Sequence, residues 1–512
     1  MTARGTKAMG GVAAAAVALG VTQLLAVLFG PQADARVAVG SAVIDLTPGP
    51  VKEWAIDTFG MADKLVLTVM VLAVIAGIAA VTAQYETRQR PVGSIAIAVG
   101  GAAGCAAVLS EAGTTPVDII PTLLGAVCGI GVLRLLVSGR FTDAPHTSER
   151  GPDHGRRLSL VTLGFLAVGA IAGVGGTVLS RRASSVAGDR DAFALPEIDV
   201  RAPPVPPAVQ PEGVALPPFV TPNADFYRID TALTVPQVSR EEWQLRIHGM
   251  VDREVTYRFA DLKRFEVVEK LVTLTCVSNP VGGELIDNAA WTGCRVRDLL
   301  AEAGVQPDAD MVLSMSVDGF TAGTPVEALT DGRDALLAIG MNGQPLPTDH
   351  GYPARLVVPG LYGYVSATKW VVDLEVTRFD RAEAYWTKRG WSARGPIKTQ
   401  SRVDVPRSGQ QVALGPVTFG GVAWAQPRGV RAVEVRIDPP DAQGDWQPAD
   451  LGASYSDDTW RLWSLDWEAT RPGPHTITVR ATDNAGNVQT ADLAEPVPDG
   501  ATGRHSVTFT VE

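Results

Sequence analysis

Cys276 closes an apolar, β-branched run, Leu271-Val-Thr-Leu-Thr275, and opens a loop, Val277-Ser-Asn-Pro-Val-Gly-Gly283. A thiolate at the end of a buried strand, followed by a loop with exposed backbone N–H groups, can hold a soft metal. Arg355 heads a second apolar run, Leu356-Val-Val-Pro359. A buried guanidinium without a partner is costly, so this position calls for an anion. His350, just before Gly351, reads more simply as a turn residue when taken alone. Cys294 follows Cys276 within the same stretch. In an oxidising compartment, cysteine counting by itself favours a Cys276–Cys294 disulfide over a metal ligand.

The elements that must position these groups occupy only part of the chain. At 512 residues it exceeds one ordinary core. A net charge of -11 argues against nucleic acid as a partner, because phosphate binding needs a basic face. The two halves differ in composition. Residues 1–182 are rich in Ala, Val, Leu and Gly, and five stretches approach the roughly 20 apolar residues that a bilayer crossing needs. They are Met9–Phe29, Leu65–Ala83, Val92–Leu109, Val117–Val137 and Leu158–Leu179. Arg4 and Lys7, Arg88 and Arg90, and Arg140 to Arg157 flank them on one side. That bias predicts a cytoplasmic N-terminus and an extracytoplasmic second half. Asp45, Glu111 and Asp118 read as solvated interfacial charges. Arg156-Arg157-Leu158-Ser159-Leu160 resembles an internal twin-arginine export signal, although positive-inside charge accounts for the same residues.

Residues 183–217 are proline-rich and predict a semi-extended spacer. Residues 218–398 mix strand and helix patterns, an α+β arrangement. From residue 399 to 512, short alternating strands with frequent turns predict an antiparallel, immunoglobulin-like β-sandwich. The expected fold is thus an N-terminal helical membrane domain of about five spans, a mixed α+β domain and a C-terminal sandwich.

Within that frame several motifs stand in order: Thr221-Pro-Asn, Phe226-Tyr-Arg228, Thr275-Cys-Val-Ser-Asn279, Trp291-Thr-Gly293, Gly343-Gln-Pro-Leu-Pro347, His350-Gly-Tyr-Pro-Ala-Arg355 and Lys369-Trp370. Together they resemble the sulfite oxidase family of molybdopterin enzymes, from about Pro218 to the C-terminus. The resemblance implies Mo-molybdopterin as cofactor, with Cys276 as the thiolate on the metal. It implies cofactor contacts at Tyr227, Arg228, Asn279, His350, Arg355, Ser366, Thr368 and Lys369, and catalytic roles for Cys276, Arg228 and Arg428. Arg355 as a fork-shaped cation and Lys369 as a point charge suit an anionic pterin phosphate. Gly360, Gly363, Ser366 and Ala367 are small enough to let backbone amides approach it.

Two departures bear on the substrate. Pro280 and Val281 stand where sulfite oxidases carry an arginine doublet, and Asp230 replaces a usual His or Asn. With fewer cations, a small dianion fits less well than a neutral or singly charged S- or N-oxide. Neither CxxCH nor iron–sulfur spacing is present, so the two electrons call for an external carrier, a cytochrome or quinone-linked protein. The resemblance also implies dimerisation through residues 399–512. The competing expectation is a cofactor-free extracellular binding protein stapled by Cys276–Cys294.

Overall fold

The structure, a computed structural model, describes residues 3–48, 51, 54–55, 58–59, 62–111, 113–138, 154–229 and 231–512. The chain divides into two compact units: Met1–Ser185 with Ala232–Val235, and Val186–Thr231 with Pro236–Glu512.

The first unit is helical, with α1 (Ala3–Ala26), α2 (Ala35–Leu46), α3 (Asp63–Gln84), α4 (Val92–Ser110), α5 (Ile120–Val137) and α6 (His154–Ala183). Five of its segments are long and apolar enough to cross a membrane: Arg4–Ala26, Lys64–Gln84, Val92–Ser110, Pro116–Val137 and Leu158–Asp191. Glycines let the helices touch. A methyl group on Gly20 would overlap the backbone of Gly169, and one on Gly125 would overlap Ala18 and Thr22. Small residues at the contacts bring the helix backbones close enough to pack by van der Waals contact. Asp118, expected in solvent, is buried and accepts hydrogen bonds from the Thr115 N–H (2.7 Å) and hydroxyl (2.8 Å). Capping a helix start satisfies orphan donors, which explains a carboxylate at that depth. The side chains of Arg156 and Arg157, and residue Asp230, lie outside the described residues.

The second unit begins with α7 (Ala187–Asp191) and a long segment expected to be a spacer. That segment is instead laid along the unit. Arg190 donates to the Leu346 and Pro345 carbonyls, Asp199 N–H donates to Val267 O, and Tyr455 donates to Pro203 O. Val209 is 3 % exposed. Prolines keep the segment extended, and its carbonyls and apolar side chains, among them Phe193, Leu195, Val209 and Leu216, then find partners on the folded surface.

The mixed part contains β1 (Gln244–Gly249), β2 (Val255–Arg258), β3 (Val268–Thr275), β4 (Ile286–Arg295), α8 (Val296–Ala303), β5 (Met311–Ser316), β6 (Thr321–Pro325), α9 (Val326–Thr330), β7 (Leu336–Met341), β8 (Gln344–Pro345), β9 (Arg355–Val357) and β10 (Val371–Thr377). One sheet has the order β2-β1-β10-β5-β6, the other β3-β4-β7-β8 with β9 on β7. Only β1 and β10 pair in parallel there.

The register of β3 against β4 decides the disulfide question. Thr275 pairs with Ile286 at one end of the ladder, and Val268 with Gly293 at the other. Cys276 leaves one end and Cys294 lies just past the opposite one, so more than the length of the ladder, about 23 Å at about 3.3 Å per residue, separates them. A disulfide needs Cα atoms within about 7 Å. Both thiols are reduced, and the Cys276–Cys294 staple is ruled out by the hairpin itself.

The last part carries β11 (Gln400–Val405), β12 (Gln411–Val412), β13 (Gly415–Trp424), β14 (Val430–Asp438), β15 (Trp446–Pro448), β16 (Asp450–Leu451), β17 (Arg461–Ala469), β18 (Gly473–Asp483) and β19 (Ser506–Val511). They form two sheets, β11-β13-β17-β16 and β12-β19-β18-β14-β15, around a shared core that includes Phe419, Trp463, Val435, Ile477 and Phe509. This part also covers the outer edge of β3. Thr273 N–H donates to Asp458 O, and Trp460 N–H donates to Thr273 Oγ1. An uncovered edge strand would leave those groups unpaired.

Candidate functional site

β3 delivers Cys276. Its last five residues are buried, so the strand is held on both faces up to the thiol. There the ladder ends and a closed loop begins. Cys276 N–H donates to Leu285 O (3.0 Å), Asn279 N–H donates to Cys276 O (3.2 Å), and Asn279 Oδ1 accepts from Leu285 N–H (2.9 Å). The asparagine side chain therefore ties the loop shut. Burial pushes the Cys276 thiol up, while the Ser278 backbone and hydroxyl pull it back down.

The cations gather around the turn at Thr348–His350, which precedes β9. Arg355 is 5 % exposed, and its NH1 and NH2 reach only carbonyls, of His350 (3.1 Å) and Ala367 (3.4 Å). Its guanidinium lies 4.9 Å from the centroid of the Trp291 ring. Among the described residues it has no carboxylate partner, and burial depresses it to about 10. Lys369 Nζ donates to Asp349 O (3.1 Å), and Arg228 pairs with Asp349 Oδ2 (3.1 Å). Burial, then Arg355 and Lys369, hold His350 down at about 4, so the ring is neutral at pH 7. Gly351 has φ +110, and a Cβ there would press on Arg355 and Lys369. Only glycine lets these two cations close around the turn.

Tyr227 joins the two halves. Its hydroxyl is raised well above the ordinary value, by burial first and then by Cys276, with Arg355 acting in the opposite sense. Its backbone N–H donates to Asp287 Oδ2 (2.6 Å), and its ring stacks on Phe226 at 5.3 Å. Thus Cys276, Tyr227, Arg228, His350, Arg355 and Lys369 belong to one neighbourhood.

Other expected contacts are engaged elsewhere. The Ser366 hydroxyl donates to Tyr362 O (2.9 Å), and Thr368 Oγ1 pairs with Ser314 Oγ (2.7 Å). The Ser366 and Ala367 N–H groups close a turn on Gly363 O. Arg428 is bound to Asp483 (2.7 Å), Ile397 O and Thr399 Oγ1, and lines a pocket of about 600 Å³. Cys276 does not line that pocket. The Tyr362 hydroxyl accepts the Lys398 N–H (3.4 Å) and is raised to about 12, by burial first.

Sequence reading missed Asp287, which holds Tyr227 N–H and the Thr221 hydroxyl, and missed His505 and Arg402, which meet the cysteine loop. An acid one residue into an apolar strand was the available signal for Asp287. Its partners lie more than fifty residues away in sequence, and no local pattern reports that.

One pH response follows. The folded chain holds His350 near 4 against about 6.5 when unfolded, so between those values the unfolded chain binds more protons. Stability is complete above about pH 6.5 and is lost as pH falls toward 4. His505, also depressed to about 4, acts in the same window. In cofactor-free protein, His350→Asn is expected to flatten part of the fall in urea midpoint between pH 7 and pH 4.5. An unchanged slope would count against a buried neutral His350.

These residues lie in a molybdopterin-binding oxidoreductase domain: residues 232–386, which include Cys276 and Arg355, match the family model described as the oxidoreductase molybdopterin binding domain. The chain is 30 % identical to sulfite oxidase from Gallus gallus over 54 % of its own length and 69 % of that protein. It is 30 % identical to mitochondrial sulfite oxidase from Homo sapiens over 54 % of this chain and 58 % of that one. It is 33 % identical to the uncharacterized oxidoreductase YuiH from Bacillus subtilis over 30 % of this chain and 74 % of that one. The chain belongs to the sulfite oxidase family of molybdopterin-dependent oxidoreductases. It spans 58 % of the length of the human relative. Mo-molybdopterin is the cofactor of this domain, and the residues present fit it: a buried guanidinium bonded only to carbonyls among the described residues, a second cation and a glycine turn suit an anionic pterin phosphate.

Proposed function

We propose that the chain is a membrane-anchored Mo-molybdopterin oxidoreductase that performs two-electron oxygen-atom transfer on a small sulfur- or nitrogen-containing substrate outside the cytoplasmic membrane. The observation that carries this reading is Arg355, buried without a carboxylate partner and linked to Cys276 through Tyr227. Molybdenum supplies the redox and oxygen-transfer chemistry when bound. The chain's own residues do the rest. Cys276 provides the thiolate. Arg355 and Lys369 hold the pterin phosphate, with neutral His350 as a hydrogen-bonding neighbour that adds no charge. Tyr227 closes the space between thiolate and phosphate site and excludes water. Arg228 and Arg428 orient substrate oxygens, and Asn279, Ser366 and Thr368 shape the walls through the bonds already described.

The domains are read as a membrane region over 1–182, an anchored connection over 183–217, the molybdopterin domain over 218–398 and an immunoglobulin-like, dimerisation-type unit over 399–512. Five long apolar helices support anchoring, and the arginine bias in the sequence supports an extracytoplasmic catalytic domain. Arg156-Arg157 is read as a twin-arginine signal, which suits a protein loaded with cofactor before export. An external cytochrome or quinone-linked carrier takes or supplies the electrons.

Sulfite is expected to be a poor substrate. Pro280 and Val281 bring no charge to the cysteine loop, and Arg228 and Arg428 are already bound to Asp349 and Asp483. A dianion loses its solvation there without full compensation. Steady-state assay of the molybdenum-loaded protein with sulfite and an artificial acceptor is expected to give slow turnover and a high KM. Fast turnover at micromolar sulfite would overturn the substrate class.

A further inference from the structure

The loop that follows Cys276 is gripped from outside its own domain. Gly282 has φ +80, and a methyl group built on it would overlap the imidazole of His505. His505 immediately precedes β19, in the C-terminal β unit. Its Nδ1 accepts the Val403 N–H at 3.0 Å, which places the proton of the neutral ring on Nε2. The neighbouring Arg402 donates from NH1 to Gly283 O at 2.8 Å and is itself fixed by Asp404 at 2.6 Å. Two consecutive residues at the far end of the loop are therefore held from β11 and β19, while Cys276 and Leu285 close its base. The loop has two independent anchors, its base at Cys276 and Leu285 and its grip at Gly282 and Gly283, and Pro280–Val281 lie between them.

We propose that His505, assisted by Arg402, is a positioning residue for the Cys276 loop: the C-terminal β unit sets the direction of the thiolate and of the Pro280–Val281 face toward substrate. The inference rests on the reading of Cys276 as the metal ligand. The physical basis is steric and directional. The flat ring fills the space above Gly282, so the loop cannot bend toward β19. The Arg402 bond to Gly283 prevents it from lifting away. Groups that orient a ligating side chain control the electronic state of a metal as well as its affinity. Since Arg402 already serves Asp404 and Gly283, it brings no free cation to the substrate face, in keeping with a substrate other than a dianion.

The test uses full-length, molybdenum-loaded protein and three variants. His505→Ala removes ring and acceptor. His505→Phe keeps a ring over Gly282 without an acceptor for Val403, and His505→Asn keeps the acceptor without most of the ring. The measured quantities are molybdenum content, the paramagnetic resonance spectrum of the partially reduced metal, and amide exchange over residues 276–285. The Ala variant is expected to retain molybdenum, to show a shifted resonance, and to exchange in that segment about tenfold faster, as when local opening no longer breaks one restraining hydrogen bond. Phe and Asn should each recover part of both changes. If the Ala variant fails to accumulate, the Phe and Asn variants decide, because each removes one of the two restraints. A wild-type resonance and wild-type loop exchange in any folded variant, even one with a lowered melting temperature, would reduce the contact to packing and overturn the proposal. Absence of molybdenum from the unsubstituted protein is a different failure. It would remove the parent reading of Cys276, and the proposal with it.

Discussion

Cys276→Ser protein is expected to fold, to keep its pterin, and to lose turnover on the order of 10³-fold or more, beyond the roughly 10–100-fold cost of losing a group that merely orients a metal ligand. Serine is smaller, and its hydroxyl can keep the bonds that Ser278 makes to the thiol. The loop is closed by Leu285 and Asn279, which do not depend on the sulfur. The fold therefore has little reason to change. The metal does, because an alcohol oxygen is a harder and far less acidic donor than a thiolate. On the proposed reading the pterin stays, because Arg355 and Lys369 rather than Cys276 would hold its phosphate. The measurements are pterin and molybdenum content, the visible absorption contributed by thiolate ligation, and kcat. A Ser variant with wild-type absorption and kcat would sink Cys276 as the ligand.

Arg355→Met is expected to act with opposite signs on the loaded and the empty protein. The guanidinium is buried and reaches only carbonyls, so in the empty chain it is a desolvated charge without an anion. Replacing such a group with an apolar side chain of similar length should raise stability by about 1–3 kcal/mol, the scale seen when poorly compensated buried charges are removed. With the pterin phosphate present the same change removes a charge-assisted, two-pronged contact, and binding should weaken by at least about 2 kcal/mol, some thirtyfold. Denaturant titration of cofactor-free protein and pterin content of purified protein report the two halves separately. A Met variant that is less stable when empty would show that Arg355 serves the fold rather than an anion. Arg355→Lys should fall between the two, since a point charge keeps the attraction and loses the fork.

Residues that seek a chemical class of partner were legible early. Cys276 stands where an apolar run breaks into a Ser/Asn/Pro/Gly loop, and Arg355 where a cation heads a buried strand, and both features are local. The apolar helices were equally plain, because bilayer-length runs need no tertiary context. His350 was legible only through the motif it heads: taken alone it reads as a turn residue, and its depressed pKa arises from burial first and then from Arg355, Lys369 and Arg228. Asn279, Ser366 and Thr368 were expected to face the cofactor; the Asn279 and Ser366 side chains bond to nearby backbone, and the Thr368 hydroxyl pairs with that of Ser314. The proline-rich segment misled for a related reason. Composition reports its extended shape but not the surface that satisfies its carbonyls.

The sequence by itself determined the parts: a helical membrane-length half, a mixed domain with a soft ligand and an anion-seeking arginine, and a β-rich end. Each follows from periodicity, burial preference or the chemistry of one side chain. Tertiary structure decided the relations between them. The register of β3 against β4 sets Cys276 and Cys294 at opposite ends of a hairpin, so both thiols stay free of a disulfide with each other. The turn at Gly351 draws Arg355 and Lys369 together, and His505 comes from the far end of the chain to stand over Gly282. Such contacts join residues tens to hundreds of positions apart, where spacing along the chain carries no information about distance in space.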